Sequence, residues 1–232
     1  MPSIGLVIEG RHDAIMLPPL IRGELRARGI TSLSLQMIHP KTDETGTVED
    51  GGWLQIRAWC KSNGGKNMQT YFEPLFADHP ALDAIVIHVD GDSLIDICQS
   101  SSVDPPKLPV SPTARVNNIV DALGEWLAAP NDHRGKVVFA VPVQSTEAWI
   151  LASEAVYHDL ESMDAKAEFR RPYSKEKHVS LDAFYRARSG SAESKTAAIA
   201  AQSASYTLFC TALRQVLGLN GPAGGASEPA HA

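Results

Sequence analysis

The 232-residue sequence predicts an α/β fold, a mostly parallel sheet flanked by helices, followed by a C-terminal helical extension. Three observations carry that prediction. Apolar runs at residues 4–8, 31–38, 84–89 and 136–141 alternate with stretches of helical spacing, the pattern of right-handed βαβ crossovers. The run at 84–89 is nearly continuous and rich in β-branched residues, as expected of a strand buried on both faces. The composition, 44% hydrophobic and 21% charged, is that of a compact globular protein and excludes a wholly disordered, collagen-like or coiled-coil chain.

Residues 4–8 end in Glu9-Gly10 and predict the first strand. After Asp13 a helical pattern runs to Arg28-Gly29, where glycine suits the position just past a helix end. Pro18-Pro19 is not expected deep inside a regular helix, so the pattern predicts an opening turn at 13–17 and a main helix from about Pro19. Residues 31–38 predict a second strand ended by His39-Pro40, and the polar residues 41–52 a loop. A helix is expected over about 53–62, a break at Asn63-Gly64-Gly65, and a second helical piece over about 68–77. The proline- and serine-rich stretch 100–112 predicts an irregular loop. Residues 113–129 then place Val116, Ile119, Val120, Leu123, Trp126 and Leu127 on one helical stripe. The strand over 136–141 ends at Pro142, and a helix carrying Glu147, Trp149, Ile150 and Leu151 follows. Residues 166–189 are charged with little apolar period, and 196–217 read as one alanine-rich helix. Residues 220–232, rich in Gly, Ala, Pro and Ser, read as a disordered tail. The expected division is an α/β unit over 1–155, a helical and basic extension over 156–219 packed on it, and the tail.

No apolar stretch approaches the roughly 18–20 residues that cross a bilayer, and the N-terminus lacks a signal-peptide pattern. The expectation is a cytoplasmic protein with no membrane partner. Cys60, Cys98 and Cys210 are odd in number and widely spaced, which disfavours a disulfide framework or zinc cluster and predicts buried thiols. A net charge of −6 argues against coating long nucleic acid by bulk electrostatics. The charge is nonetheless uneven. Residues 78–104 hold six Asp and no Lys or Arg, whereas 166–188 hold seven Lys or Arg against three acids. Such a pairing suits a metal-dependent enzyme acting on a polyanion, or simply an acidic loop beside a solvated helix face.

Glu9, Asp90 with Asp92, and Glu147 all follow predicted parallel strands, whose carboxyl ends share one edge where ligands bind. Converging carboxylates repel one another, and oxygen ligands favour Mg²⁺ or Mn²⁺ as the neutralising ion. The motifs are Ile8-Glu9-Gly10-Arg11-His12-Asp13, His88-Val89-Asp90-Gly91-Asp92-Ser93 and Pro142-Val143-Gln144-Ser145-Thr146-Glu147-Ala148-Trp149. In that order and context, over about residues 3–152, they resemble the Toprim domain, a Rossmann-like unit shared by topoisomerases, primases, recombination mediators and the overcoming-lysogeny-defect nucleases. Asp13 matches an additional acidic position of several Toprim nucleases. The third motif looks like the Ser-x-Glu element of the overcoming-lysogeny-defect nucleases, and more like the Glu-Ala-Trp segment of a group of poorly characterised bacterial Toprim-related proteins.

The resemblance implies phosphodiester cleavage in DNA or RNA assisted by Mg²⁺ or Mn²⁺. Asp90 and Asp92 would bind one cation, with or without Glu9, and Asp13 with Glu147 a second about 4 Å away. Glu9 is alternatively a general base. Lys175 and Lys177 are candidates for offsetting transition-state charge, and Arg11, Arg170, Arg171, Lys175 and Lys177 for gripping nucleic acid. The chain is too short for the tyrosine-bearing domain of a topoisomerase or the added parts of a primase, which leaves a nuclease. By analogy it would be an effector of bacterial anti-phage defence served by a separate sensor or ATPase chain, and a homo-oligomer is left open.

Plainer roles compete at each position. Glu9 can bind backbone amides, Asp90-Gly91-Asp92 can be a tight turn, and Asp13 or Ser145 can cap a helix. His12 and His88 read as structural or supporting residues, and Trp53, Trp59, Trp126 and Trp149 as core. Two functional rivals remain: a non-catalytic subunit that binds a partner through the same surface, and an Asp-x-Asp phosphatase or nucleotide-sugar transferase.

Overall fold

The computed structural model describes residues 1–41, 51–74, 80–107, 110–175 and 178–220. In chain order the elements begin with β1 (Ser3–Val7), α1 (Arg11–Arg26), β2 (Ser34–His39), α2 (Trp53–Asn63), a 3₁₀ turn (Gly65–Met68) and α3 (Gln69–Phe72). They continue with β3 (Ala84–His88), a second 3₁₀ turn (Gly91–Ser93), α4 (Leu94–Gln99), α5 (Pro112–Leu127), α6 (Asn131–Arg134), β4 (Val137–Ala140) and α7 (Thr146–Glu154). The last are α8 (Ala165–Arg170), a 3₁₀ turn (Tyr173–Lys175), α9 (Leu181–Ala192), α10 (Thr196–Gln202) and α11 (Ala204–Val216). The four strands form one sheet in the order β2-β1-β3-β4, every neighbouring pair parallel, as the sequence predicts.

Alternation along the strands sends Ile4, Leu6, Ala84, Val86, Val138 and Ala140 to one face, and Val7, Ile85, Ile87 and Val137 to the other. Helices α1 and α7–α11 cover the first face, while α2–α5 cover the second. Strand β3 is buried along its whole length, which is why it carries no polar alternation, whereas the edge strand β2 exposes Gln36 and Met37. The first core runs through the whole chain, from Ile4 to Leu213, so the helices after residue 156 complete the cover of the sheet. Trp149 sits at its centre, fully buried and stacked on Phe209 at 5.6 Å between ring centroids, with its indole N–H donated to Ser205 Oγ at 3.0 Å. Trp59 and Trp126 are buried in the second core, and Trp53 packs against it. Cys60, Cys98 and Cys210 are free and buried.

Several local expectations need correction. Helix α1 is continuous through Pro18 and Pro19 and starts at Arg11, not near Pro19. A proline in a helix interior costs about 3 kcal/mol, but Met16, Leu17, Leu20, Ile21 and Leu25 are all fully buried on this helix. Burial of each stabilises by about 1.5–3 kcal/mol, so packing outweighs the lost hydrogen bonds. Asp13 lies inside α1, which begins after Gly10 without a side-chain cap. The alanine-rich stretch is two helices, because Ser203 adopts an extended backbone and its hydroxyl caps α11 by accepting from Tyr206 N–H. The segment 166–189 is not featureless: α8 and α9 bury Phe169, Phe184 and Tyr185, and short helices with one inward face each leave little period to read. Helix α4, directly after the Asp-x-Asp motif, lies in a stretch where the sequence suggested nothing regular. Residues 42–50 of the expected loop, 75–77 of the expected helical piece, Lys177 and the tail from 221 lie outside the described residues.

Candidate functional site

Parallel pairing places the carboxyl ends of β1, β3 and β4 on one edge of the sheet. Glu9 stands two residues past β1 and Asp90 two past β3, while Asp13 and Glu147 occupy the first turns of α1 and α7. Four carboxylates separated by up to 138 positions, from Glu9 to Glu147, thereby line a single cleft of about 230 Å³. Asp92 stands at its rim with its side chain 43% exposed.

The glycine of Asp90-Gly91-Asp92 is required by the packing of two strand ends. A Cβ on Gly91 would lie 2.4 Å from the carbonyl oxygens of both Pro142 and Val143, and Asp92 N–H donates to Gln144 O at 3.0 Å. Gly91→Ala forces that backbone apart, and a loss of about 1–3 kcal/mol of stability is expected on chemical denaturation, the usual cost of overpacking. An unchanged denaturation midpoint would show that the two loops do not bear on each other.

Asp90, 3% exposed, organises the centre. Its Oδ1 accepts from Thr146 N–H at 3.1 Å, its Oδ2 from Lys166 Nζ at 2.9 Å, and its own backbone N–H donates to Glu9 Oε2 at 2.7 Å. Lys166 Nζ also reaches Asp92 Oδ2 at 2.9 Å. Behind Asp90, His88 Nε2 lies 2.7 Å from Thr146 Oγ1. On the other wall, Tyr185 Oη donates to Glu147 Oε1 at 2.7 Å while accepting from Arg170 Nε at 2.8 Å, and the His12 ring stacks on Tyr185 at 4.1 Å. Glu147 Oε2 is buried and has no hydrogen-bond partner among the described residues.

Burial and mutual repulsion set the ionisation of the group. Burial first, then the Asp90 charge, pushes Glu9 up to about 7, despite the backbone hydrogen bond from Asp90. Burial and then the Glu147 charge push Asp13 up to about 7, against a hydrogen bond from Thr146. Asp90 is raised well above the carboxylate range, by burial and then by Asp13, although Lys166 opposes the shift. Burial keeps His88 neutral, lowering it to about 3. Burial disfavours charge on Lys166, but the Asp90 and Asp92 carboxylates outweigh it and raise its affinity for the proton.

Of the residues singled out in the sequence, the structure brings Glu9, Asp13, Asp90, Glu147 and Arg170 into the cleft wall, with Asp92 at the rim. It does not bring in Arg171, which is exposed and bonded to Glu168. Arg11 is exposed and paired with Asp182 at 3.1 Å through Nε. Lys175 closes a 3₁₀ turn, and Lys177 lies outside the described residues. Among the described residues the cations lining the cleft are Arg170, which the sequence singled out, and Lys166, which sequence reading passed over. Only its place at a helix start was legible: Asp164, which accepts from Ala167 N–H at 3.0 Å as the cap of α8, stands two residues ahead of Lys166 and puts it in a first turn. Tyr185 had no such signal, whereas His88, read from the sequence as a structural or supporting residue, pairs with Thr146 of the third motif.

No family model matches the chain, and no curated protein or solved structure does either. The site must therefore be read from its own chemistry. Asp13, His88 and Asp90 each offer a ligand atom within 4.8 Å of the others, and all three are buried. The donor set fits a hard divalent cation: oxygens dominate, their negative charges repel one another, and Glu147 Oε2 is buried with no hydrogen-bond partner.

Proposed function

We propose that this protein is a Mg²⁺- or Mn²⁺-dependent nuclease of Toprim type, cleaving phosphodiester bonds in DNA or RNA. The observation that carries the reading is the convergence of Glu9, Asp13, Asp90 and Glu147 in one cleft beside Lys166 and Arg170. Four buried or half-buried acids held together without matching positive charge make a stability cost, and cation binding is the function that repays it. A divalent ion held at Asp13, His88 and Asp90 would supply Lewis acidity toward a phosphodiester oxygen and toward water.

The chain's own groups have distinct tasks. Glu9, whose Oε2 accepts from Asp90 N–H at 2.7 Å in the cleft wall, is placed to take a proton from attacking water. Lys166 spends two N–H donors on Asp90 and Asp92 and keeps a third for a phosphate oxygen. Arg170 stands on the opposite wall for the same purpose, held by Tyr185. Among the described residues no helix is long and apolar enough to cross a membrane.

The test is cleavage of plasmid, single-stranded DNA and tRNA in the presence of Mg²⁺, Mn²⁺ or EDTA, by wild type and by Asp90→Ala and Glu9→Ala. Cleavage that needs the divalent ion and is lost in both variants supports the reading. Equal cleavage by all three proteins removes it. Turnover of small phosphate esters alone would favour the Asp-x-Asp phosphatase instead.

A further inference from the structure

The acidic cleft is one end of a longer groove. Lys166 is shared between the cleft wall and a second cavity of about 310 Å³, which Ser145 lines at the start of α7. Gln144 and Ser162 are shared in turn with a third cavity of about 350 Å³, bounded by Arg115 from α5 and by Tyr157 just beyond α7. Each of the three holds a buried polar atom with no hydrogen-bond partner among the described residues: Glu147 Oε2 in the cleft, Ser145 Oγ in the second cavity and Arg115 Nε in the third. Such orphaned groups are uncommon and costly. Ser145 is the most telling, at 2% exposed. A serine just before a helix ordinarily accepts a backbone N–H as its cap. Here α7 has no side-chain cap from Ser145, and Thr146 N–H goes to Asp90 Oδ1 instead. The hydroxyl is left unused at the floor of the groove.

We propose that this groove seats a single polynucleotide strand as it leaves the scissile phosphate, with Ser145, Gln144 and Arg115 donating to its phosphate and base oxygens and Tyr157 offering a face to one base. The inference rests on the nuclease reading above and adds the path of the substrate. The order of the orphaned groups matches such a ligand. A carboxylate oxygen that wants a cation stands at the reaction end, then a hydroxyl and a guanidinium N–H that want acceptors. The acids of the two outer cavities leave room for it. Asp92 is paired with Lys166, Glu161 Oε1 accepts from Ser203 Oγ and Ser205 N–H, and Asp164 caps α8. Asp159 is exposed, two residues from Tyr157, where it can accept from a base amino group. An aromatic face combined with polar contacts along the backbone is the usual way to hold a single strand with little sequence preference.

Fluorescence anisotropy on the full chain tests this, with labelled single-stranded DNA and RNA of graded length in Ca²⁺ and in EDTA. Ser145→Ala and Gln144→Ala are each expected to weaken binding of the preferred strand about three- to tenfold, the scale of one hydrogen bond. Ser145→Ala is also expected to melt at or above the wild-type temperature, because its hydroxyl has no partner to lose, so its lost affinity is not lost folding. A strand carrying 5-iodouracil, irradiated in the complex, is expected to cross-link to the peptide that contains Tyr157. Unchanged affinity in either variant, a cross-link confined to peptides outside the groove, or no binding of either strand by wild type in Ca²⁺ overturns the proposal. Weakened binding in the variants without any divalent-dependent cleavage by wild type removes the nuclease reading and leaves the strand groove standing. Divalent-dependent cleavage with unchanged binding in the variants does the reverse.

Discussion

Asp90→Asn is expected to lower nucleic-acid cleavage about 10²–10³-fold, the usual scale for removing one preorganised electrostatic group. The replacement keeps the shape of the side chain and removes its charge. An amide cannot counter the Lys166 ammonium, and its NH₂ group has no acceptor role to offer Thr146 N–H or Lys166 Nζ, both of which now bond to carboxylate oxygens. The ammonium then loses the bond that fixes it in the cleft wall, where the proposed reaction needs it. Asp92→Asn is expected to be about tenfold milder, because Asp92 is 43% exposed and water screens its charge. Single-turnover rates at saturating Mn²⁺ check both, with the melting temperature recorded alongside. Asp90→Asn cleaving within threefold of wild type would mean that the reaction occurs elsewhere on the protein.

In the absence of divalent ions, the protein is expected to lose stability as pH rises from about 6.5 to 8. Glu9 and Asp13 have folded-state values of about 7 against ordinary values of 4.5 and 3.8. Below about 7 the folded state retains protons that the unfolded chain has released, so stability falls as pH climbs through that range. Buried His88 and partly buried His12 are shifted the other way and oppose the trend at lower pH. Above their ordinary value of 6.5 they are neutral in both states, which leaves the acids in control. At pH 8 each buried acid has been forced to ionise, at a cost on the order of a few kcal/mol. Asp13→Asn should therefore raise the melting temperature at pH 8 in EDTA by several degrees and flatten the pH profile, while weakening protection by Mn²⁺. Saturating Mn²⁺ should restore wild type. A melting temperature that stays level or rises over this interval in EDTA would show that the carboxylates are not under strain.

The sheet was legible because β-branched runs have one stable use, burial on both faces, and because the loops between strands punctuate it clearly. The positions of Glu9, Asp90 and Glu147 followed from that, since parallel strands put their carboxyl ends together. Lys166 was not legible for the opposite reason. It reaches the cleft through α8, a six-residue helix whose docking depends on Phe169 meeting Phe184 and Tyr185 from α9, a long-range contact that no local period announces. Helix α1 failed in another way: a local rule about proline was sound, but the apolar face it interrupts was worth more.

The continuous core from Ile4 to Leu213 bears on how such a protein can be dissected. A fragment ending near residue 155 would retain the three motifs and all the acids, yet lose the lysine that faces them and the helices α8–α11 that share one face of the sheet with α1 and α7. What looks on paper like a portable catalytic cassette is, in three dimensions, only half of a box, and its lid and wall are written in the last third of the polypeptide.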